Sequence, residues 1–489
     1  MPLSPLQRIA PLLVALAAAC ALAPLASPAH AQSAPAPSAA PPPAPADDGR
    51  HTFERTLPNG MKVIVREDHR APTVVHLVLY RVGSVDEAKG RTGISHVLEH
   101  MMFKGTERHP TGEFSRLVAQ LGGRENAFTT SDYTGYFQQI GREHLAEMMK
   151  LEADRMSNLV LAQKEFDQEL RVVMEERRLR TEDRAQALVY EQFRAQAFVA
   201  SPVRHPVIGW FSDLRALTVD ELRDWYAQWY TPSNAIVVVV GDVSADEVWR
   251  QAEASYGQVK AHALPQRAPL DEPEQRGLRR AWVKAPAENP YVTMGFRVPR
   301  LNDVERDTEP YALEVLAAVL DADENGRLTR NIVRGSRVAN QVGAGYDSIT
   351  RGPTLFVLDG TPAEGHTTAD VEQALREEIA KIARDGVAAE ELERIKTQYV
   401  AGEIYKRDSI MAQAMEIGSL EITGFTHRDA DRILARIAAV TSDEVQAVAK
   451  KYFSSDDTLT IATLLPQPLP EGDRGAAPQP GGANGGPIR

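Results

Sequence analysis

The stretch Gly93-Ile94-Ser95-His96-Val97-Leu98-Glu99-His100-Met101-Met102 places two imidazoles and one carboxylate inside an otherwise apolar run. If this stretch is helical, His96 and His100 lie one turn apart on one face, so both rings can contact a single metal ion. Glu99 lies on the same side, within reach of a water on that ion. Polar groups in such a run are costly to bury without a partner. Zinc is a suitable partner because it accepts neutral imidazoles and keeps a position open for water in catalytic sites.

The order of the residues, His-x-x-Glu-His, is the inverted form of the commoner signature His-Glu-x-x-His. Both orders can place a metal ion beside a general base. The chain contains 12 histidines, so the pattern can also arise by chance. On this motif alone, a second interpretation stays open, in which two helix histidines are hydrogen bonded to nearby carbonyl groups.

A third ligand is expected from the segment 165–178, which contains no Gly or Pro and is predicted to be helical. Glu169 and Glu176 are seven residues apart and therefore lie on one stripe of that helix. The side chains predicted to face inward are those of Glu169, Val172, Val173 and Glu176. Those predicted to face outward are Arg177 and Arg178. The alternative is a pair of surface glutamates that form ion pairs with arginines.

The chain resembles the pitrilysin/insulinase family of zinc peptidases, which includes the mitochondrial processing peptidases and their small bacterial relatives. In that family a ligand glutamate follows the inverted motif by about seventy-five residues, and Glu176 follows His100 by 76. The family's acidic residue seven positions before the ligand corresponds to Glu169. Its Gly-Gly-x-x-Asn-Ala-x-Thr segment appears as Gly122-Gly123-Arg124-Glu125-Asn126-Ala127-Phe128-Thr129 and continues into Asp132, Thr134 and Tyr136. These three sequence matches occur at the spacings of the family, and together they favour the metal site over the alternatives above.

The resemblance implies one zinc ion per chain, with His96, His100 and Glu176 as its ligands. Glu99 would be the general base that takes a proton from the attacking water. Glu169 would hydrogen bond to a ligand imidazole, as such ligands usually require.

The resemblance also implies that a peptide substrate lies extended beside the segment 126–130 and pairs with its backbone as an added strand. Asn126, Ala127 and Phe128 are the substrate-binding residues expected from this arrangement. Asn126 would bind a substrate carbonyl, and the alternative is that it is a turn residue after Gly123.

The fold class is predicted to be α+β, with two duplicated domains of the mitochondrial-processing-peptidase type, each a mixed or antiparallel sheet packed with helices. The predicted domains are 49–260 with the zinc site, a proline-punctuated linker 261–276, and 277–465 without a metal motif. Apolar runs predict strands at 62–65, 74–80, 234–240, 291–296 and 458–464, and helical patterns cover 369–384 and 388–405. The first helix of the second domain contains Pro310-Tyr311-Ala312-Leu313-Glu314-Val315 and no histidine, so only the first domain is expected to hold metal.

The two ends of the chain differ in composition from its body. Residues 1–31 are expected to be an export signal that ends in a small-x-small cleavage site, and 32–48 form a Pro/Ala-rich tether. The expected location is therefore the periplasm, with lipid attachment at Cys20 the less favoured alternative. Residues 466–489 are Pro/Gly-rich and predicted to be disordered.

The net charge of −12 argues against nucleic acid as a partner. After removal of the signal, no stretch is long and apolar enough to be expected to span a membrane.

One departure from the family pattern concerns a second subunit. Self-sufficient members carry an Arg and a Tyr seven residues apart in the second domain, where they stabilise the substrate carbonyl. The Arg corresponds to Arg334, a predicted substrate-binding residue, but the position seven later is Gln341, and Tyr346 has the wrong offset. Either Gln341 donates its amide, or a related subunit without zinc supplies the Arg/Tyr pair in a heterodimer. The heterodimer is the favoured prediction, and a homodimer is possible.

A rival interpretation is a binding or scaffold subunit that keeps the fold without hydrolysis. Inactive members of the family typically lack a His or the Glu of the motif. All four residues, His96, Glu99, His100 and Glu176, are present here, which favours an exported zinc endopeptidase or oligopeptidase for extended or unfolded substrates.

Overall fold

The computed structural model of the protein describes residues 51–322 and 325–469. The predicted signal at 1–31, with Cys20, and the tether at 32–48 lie outside the described residues, as does most of the predicted tail 466–489. The first two residues of that tail, Pro466 and Gln467, were predicted to be disordered but belong to the last described strand, where they pair with a neighbouring strand. Within the described ranges, no helix is long and apolar enough to cross a bilayer.

The first half contains six strands and eight α-helices among its described residues. The strands are β1 (Thr52–Thr56), β2 (Lys62–Glu67), β3 (Thr73–Tyr80), β4 (Arg124–Thr129), β5 (Thr134–Gly141) and β6 (Ala235–Gly241). The helices are α1 (Ile94–Met101), α2 (Glu113–Gln120), α3 (Leu145–Asn158), α4 (Gln163–Arg177), α5 (Ala185–Ala197), α6 (Phe211–Ala216), α7 (Val219–Trp229) and α8 (Ala245–Ala254). A π-helical turn, Arg178–Glu182, continues directly from α4.

The second half begins after a stretch without regular structure that ends at β7. Its strands are β7 (Arg279–Pro286), β8 (Tyr291–Val298), β9 (Ala339–Gly345), β10 (Thr354–Pro362) and β11 (Leu459–Gln467). Its helices are α9 (Glu309–Asp321), α10 (Thr368–Asp385), α11 (Ala389–Lys406), α12 (Ile410–Thr423), α13 (Asp429–Ala439) and α14 (Ser442–Phe453). A π-helical segment, Thr329–Ser336, precedes β9.

The two sheets share one topology. The strand order is β1-β2-β6-β3-β5-β4 in the first half and β7-β11-β8-β10-β9 in the second. Pairs β2–β6 and β7–β11 are parallel, and every other neighbouring pair in the two sheets is antiparallel. Apart from the additional β1, each strand of one sheet has a counterpart at the same place in the other. The predicted fold of two duplicated α+β units is thereby confirmed.

Each sheet is covered by helices on both faces, and each half contributes one helix to the sheet of the other half. One face of each sheet packs against helices of its own half. The other face of the first sheet packs against α12, where Ile417 meets Leu77 and Val238 in one apolar cluster. The other face of the second sheet packs against α5, where Phe193 contributes to the matching cluster. Since a fully buried aliphatic side chain contributes about 1.5–3 kcal/mol, this exchange stabilises the association of the two halves.

Candidate metal centre

The start of α1 is fixed by a buried carboxylate and a tight approach of two chain segments. Gly93 has φ of 87°, and a Cβ atom there would lie 2.6 Å from the carbonyl oxygen of Ile208, so only glycine fits without strain. Glu87 accepts hydrogen bonds from the backbone N–H groups of Gly93 at 2.7 Å and Ser95 at 2.9 Å. Burial raises the pKa of Glu87 to about 8, although these amide donors lower it. These contacts fix the residue at which the histidine-bearing helix α1 begins and the direction in which it runs.

Three of the sequence-predicted residues converge where α1 meets α4. The Oε2 atom of Glu176 lies 3.6 Å from Nε2 of His96 and 3.3 Å from Nε2 of His100. One ligand atom from each residue can be chosen so that all three lie within 4.8 Å of one another. The structure thus brings together two imidazoles from one helix and a carboxylate from another.

The geometry of this group fits zinc. Ligand atoms at about 2.0–2.1 Å from a tetrahedral zinc lie about 3.3 Å from one another, close to the observed separations. Oε2 of Glu176 is buried and receives no hydrogen bond from the described residues. An acceptor left without a donor between two imidazole nitrogens is costly unless a cation occupies the space. The donor set and the unpartnered oxygen both suit a divalent metal.

Glu169 contacts the outer side of the same group. Its Oε2 atom lies 3.4 Å from Nδ1 of His100, while its Oε1 atom lies 2.6 Å from the ammonium of Lys104. A carboxylate on the far nitrogen of a ligand imidazole fixes the ring and its tautomer, so that Nε2 faces the metal. Lys104, which follows α1, was not identified from the sequence.

The electrostatics of the three residues are coupled. Burial, together with the nearby His100 charge, lowers the pKa of His96 to about 3. Burial also favours neutral His100, but the carboxylates of Glu169 and Glu176 beside its two ring nitrogens outweigh this and raise its pKa to about 9. Burial opposes ionisation of Glu176, but the neighbouring imidazoles and Arg180 lower its pKa to about 2. A bound metal would compete with a proton for His100, because a ligand imidazole must be neutral.

Glu99 lies beside the group and is fixed by a residue that the sequence analysis did not assign. The hydroxyl of Thr129 donates a hydrogen bond to Oε2 of Glu99 at 2.5 Å. Burial raises the pKa of Glu99 to about 7, although the bond from Thr129 lowers it. A carboxyl that titrates near neutrality can both take up and release a proton, which general acid–base catalysis requires.

Most of the predicted substrate-binding segment lies in β4, which is an edge strand of the first sheet. Alternation along the strand places Ala127 and Thr129 on the face toward α1, and Asn126 and Phe128 on the opposite face. Asn126 is exposed, and its Oδ1 atom accepts the backbone N–H of Ala127 at 2.9 Å. Phe128 makes an edge contact with Tyr133, with ring centroids 6.0 Å apart. The backbone of β4, rather than the side chain of Asn126, therefore presents the available pairing edge.

The orientation predicted for part of α4 is wrong. Val173 is fully buried as expected, but Val172 is 46% exposed. Arg177, which was expected to face outward, is buried and donates to Glu191 at 2.8 Å and to the carbonyl of Gly209 at 2.7 Å. These partners satisfy the guanidinium inside the fold, which periodicity alone could not reveal.

Arg180 is a further residue at the site that was not identified from the sequence. Its Nη1 atom lies 2.7 Å from Oε1 of Glu176, while Oε2 of the same carboxylate faces the histidines. The π-helical turn after α4 brings Arg180 to this position, and such turns are frequent at functional sites. Arg180 thus orients the carboxylate so that one oxygen is directed at the imidazole pair.

The candidate residues of the second half lie in β9 and in the segments on either side of it. Arg334 is exposed in the π-helical segment, and Gln341 is half-buried in β9 opposite Thr361. The hydroxyl of Tyr346 donates to the carbonyl of Pro299 at 2.6 Å.

A second group of possible ligands, Glu54, Glu421 and His427, occurs in the described part of the chain. The ammonium of Lys62 lies 2.9 Å from Glu54 and 2.7 Å from Glu421, so a cation already neutralises these carboxylates. This group is an ion-pair cluster. In the histidine group of α1, by contrast, Arg180 contacts only Oε1 of Glu176, and Oε2 faces the two imidazoles.

The duplicated fold and the His/Glu group are compatible with a metallopeptidase, and comparison with known proteins supports this class. Residues 62–209 match the family model described as Insulinase (Peptidase family M16), and residues 216–399 match the model described as Peptidase M16 inactive domain. The chain belongs to this family of peptidases.

Individual relatives give the same result. The chain is 31% identical to the zinc protease PqqE of Helicobacter pylori over 420 residues, which cover 83% of this chain and 91% of the relative. A crystal structure of a protease from Helicobacter pylori superposes with a TM-score of 0.80, at 27% identity, over 85% of this chain and all of that one. The periplasmic protease PqqL of Escherichia coli shares the fold, with a TM-score of 0.73 and 19% identity, over 87% of this chain and 48% of that one.

Proposed function

We propose that this protein is a zinc-dependent endopeptidase or oligopeptidase that hydrolyses peptide bonds in extended or unfolded substrates. The observation that carries the proposal is the convergence of His96, His100 and Glu176 on one point, with Glu99 beside them. The name zinc protease, given to the relative from Helicobacter pylori, supports the same metal.

His96, His100 and Glu176 would hold the zinc ion, which supplies a Lewis acid for the scissile carbonyl and lowers the pKa of the attacking water. Glu99 takes one proton from that water as the water oxygen bonds to the carbonyl carbon. It then delivers the proton to the amide nitrogen as the C–N bond breaks, so that a carboxyl group and an amine leave. Thr129 holds Oε2 of Glu99 throughout.

The free edge of β4 would bind the substrate as an additional antiparallel or parallel strand. Strand pairing uses the substrate backbone, so it selects segments that are extended rather than side chains of one type. Most strands of a folded protein are already paired within their own sheets, and unfolded or short peptides are therefore the expected substrates.

Two measurements on the purified chain test this proposal together. Metal analysis should find one zinc per chain, lost in His100→Ala. The zinc-bound chain, together with a partner subunit where one is required, should cleave an unfolded polypeptide but spare its folded form. A folded chain that never takes up zinc would instead support the scaffold interpretation, and zinc binding without cleavage both alone and with a partner would leave hydrolysis unsupported.

A partner subunit is part of the proposal. Tyr346 is already bonded to Pro299, and the position seven after Arg334 is Gln341, so the chain's own second half offers no Arg/Tyr pair at the family spacing. A related chain without zinc would supply this pair to the substrate carbonyl. Mixing tests this directly, since the chain alone should be nearly inactive and gain activity with such a partner, whereas full activity as a homodimer would exclude it.

Export to the periplasm is the proposed location, on the basis of the signal-like residues 1–31. The name of the Escherichia coli structural neighbour, a periplasmic protease, is compatible with it. N-terminal sequencing of the protein from a periplasmic fraction should begin at Gln32, and a lipid-modified Cys20 would support the alternative.

A further inference from the structure

The turn that joins β4 to β5, residues 130–133, is held from two sides. Within the first half, the backbone N–H of Ser84 donates to the carbonyl of Thr130 at 3.2 Å. Gly83 approaches so closely that a Cβ atom there would lie 2.6 Å from the carbonyl oxygens of both Thr130 and Ser131. One side of the β4–β5 turn therefore packs directly on the backbone that follows β3.

The other side of the turn is held by Arg351, which belongs to the second half. The backbone N–H of Arg351 donates to Oδ2 of Asp132 at 3.1 Å, and Nη1 donates to the carbonyl of Asp132 at 2.8 Å. The same guanidinium forms two bonds to Asp86, from Nη1 at 2.8 Å and from Nη2 at 2.9 Å. Arg351 lies in the connection between β9 and β10, the counterpart of the β4–β5 turn in the duplicated topology.

These contacts are buried. The side chain of Asp86 is 3% exposed and that of Arg351 is 11% exposed. Asp86 also receives the guanidinium of Arg267, from the segment that connects the two halves. A planar guanidinium bound at two oxygens fixes direction as well as distance. The second half thus holds the turn in one position.

The turn is linked directly to the metal centre. Thr129, the last residue of β4, precedes the turn and donates its hydroxyl to Glu99 at 2.5 Å. A displacement of the turn would therefore change the direction of this bond. It would also shift the pairing edge of β4, because β4 has no second strand beside it among the described residues.

Resting on the proposed peptidase function, we propose that Arg351 is a positioning residue for hydrolysis. Arg351, from the half that has no metal motif, holds the β4–β5 turn in place. This keeps the hydroxyl of Thr129 hydrogen bonded to Glu99 and fixes the position of the β4 edge relative to the metal centre. The second half thereby acts on the catalytic residues of its own chain, independently of any residue that a partner subunit supplies.

Arg351→Met removes the guanidinium and keeps a side chain of similar length. Since misplacement of catalytic groups by about 1 Å costs up to about 100-fold in rate, we expect kcat to fall about 10- to 100-fold with zinc content unchanged. Arg351→Lys should recover part of the loss. The matched control is Arg280→Met, which removes a two-bond pair to Glu372 within the second half and should leave kcat unchanged.

A double-mutant cycle separates positioning from a general loss of stability. If Arg351 acts through Thr129, Arg351→Met should lower kcat much less in a Thr129→Val background than in the parent chain. Equal fold losses in both backgrounds, or an unchanged kcat in Arg351→Met, would overturn the inference.

Hydrogen exchange provides a readout that does not depend on hydrolysis. The amides of residues 129–134 should exchange faster in Arg351→Met than in the parent chain or in Arg280→Met, and unchanged protection would overturn the inference. If Arg351→Met does not fold, Asp132→Asn weakens the same tie and serves in its place. A parent chain that binds zinc but cleaves no peptide, either alone or with a partner subunit, would contradict the proposed function, while the exchange result would still decide the role of Arg351.

Discussion

The hydroxyl of Thr129 and the carboxylate of Glu99 are 2.5 Å apart, although the two residues belong to different elements, β4 and α1. One residue ends the strand whose edge would bind substrate, and the other is the proposed general base. The bond couples the position of the base to the position of the strand. Substrate register and proton transfer are therefore expected to depend on one another.

Glu99→Gln should abolish most of the activity without removing zinc. The amide keeps the shape of the carboxylate and can still accept the hydroxyl of Thr129, but it cannot take a proton from water. General base catalysis contributes about 100- to 10,000-fold, so kcat should fall by that range. Peptide cleavage and metal content measured on the same sample check this, and cleavage at the parental rate would contradict the proposed mechanism.

Glu176→Gln should lose zinc, whereas Glu175→Gln should retain it. Glu176 directs Oε2 at both imidazoles, while its neighbour Glu175 is exposed and contacts Arg178 on the surface. An amide oxygen carries no charge to balance a divalent cation, so affinity should fall steeply. Zinc titration of both variants checks the prediction, and equal affinities would remove Glu176 from the ligand set.

Arg180→Met should weaken zinc binding less severely than loss of a ligand. Arg180 contacts Oε1 of Glu176, so its removal frees the carboxylate to rotate away from the histidines. Loss of an outer partner of a metal ligand typically costs about 10- to 100-fold in affinity or activity. Arg178→Met is the matched control, since Arg178 pairs with exposed Glu175. If both variants bind zinc equally well, Arg180 has no orienting role.

Central strands and long helices could be predicted from the sequence because their patterns are strong. The apolar run Ala235–Gly241 is buried along its whole length as β6, and α10 extends only one residue beyond each end of the predicted 369–384. The edge strands β4 and β9 were not predicted as strands. β4 mixes charged, polar and apolar residues, β9 contains two glycines, and the structure of both depends on pairing with β5 and β10.

The metal-binding candidates could also be proposed from spacing, because residues one or two turns apart on a helix share a face. The contacts that surround these candidates could not be proposed from spacing. Thr129 and Lys104 approach the site only after separate elements pack together. Arg177 was predicted to face outward from its position on the helix relative to Glu169 and Glu176, yet Glu191 lies 2.8 Å away inside the fold. Tertiary partners of charged side chains leave no periodic signal in a single sequence.

Glu421→Gln should destabilise the protein most near neutral pH. Glu421 of α12 joins the two halves through Lys62 of β2 at 2.7 Å and is bonded to His427. Burial opposes its ionisation, but the bonds from His427 and Lys62 outweigh burial and lower its pKa from 4.5 to about 2. A carboxylate with a depressed folded-state pKa contributes stability above its unfolded value, and this contribution is lost as pH falls from 4.5 toward 2. The gap in urea midpoint between parent and variant should therefore be largest at about pH 7 and narrower at about pH 3.

Exposed Glu393, paired with Lys396, provides the control Glu393→Gln, which should change the midpoint little at either pH. A gap that stays constant across this range would show that the charge of Glu421 does not stabilise the contact between the halves.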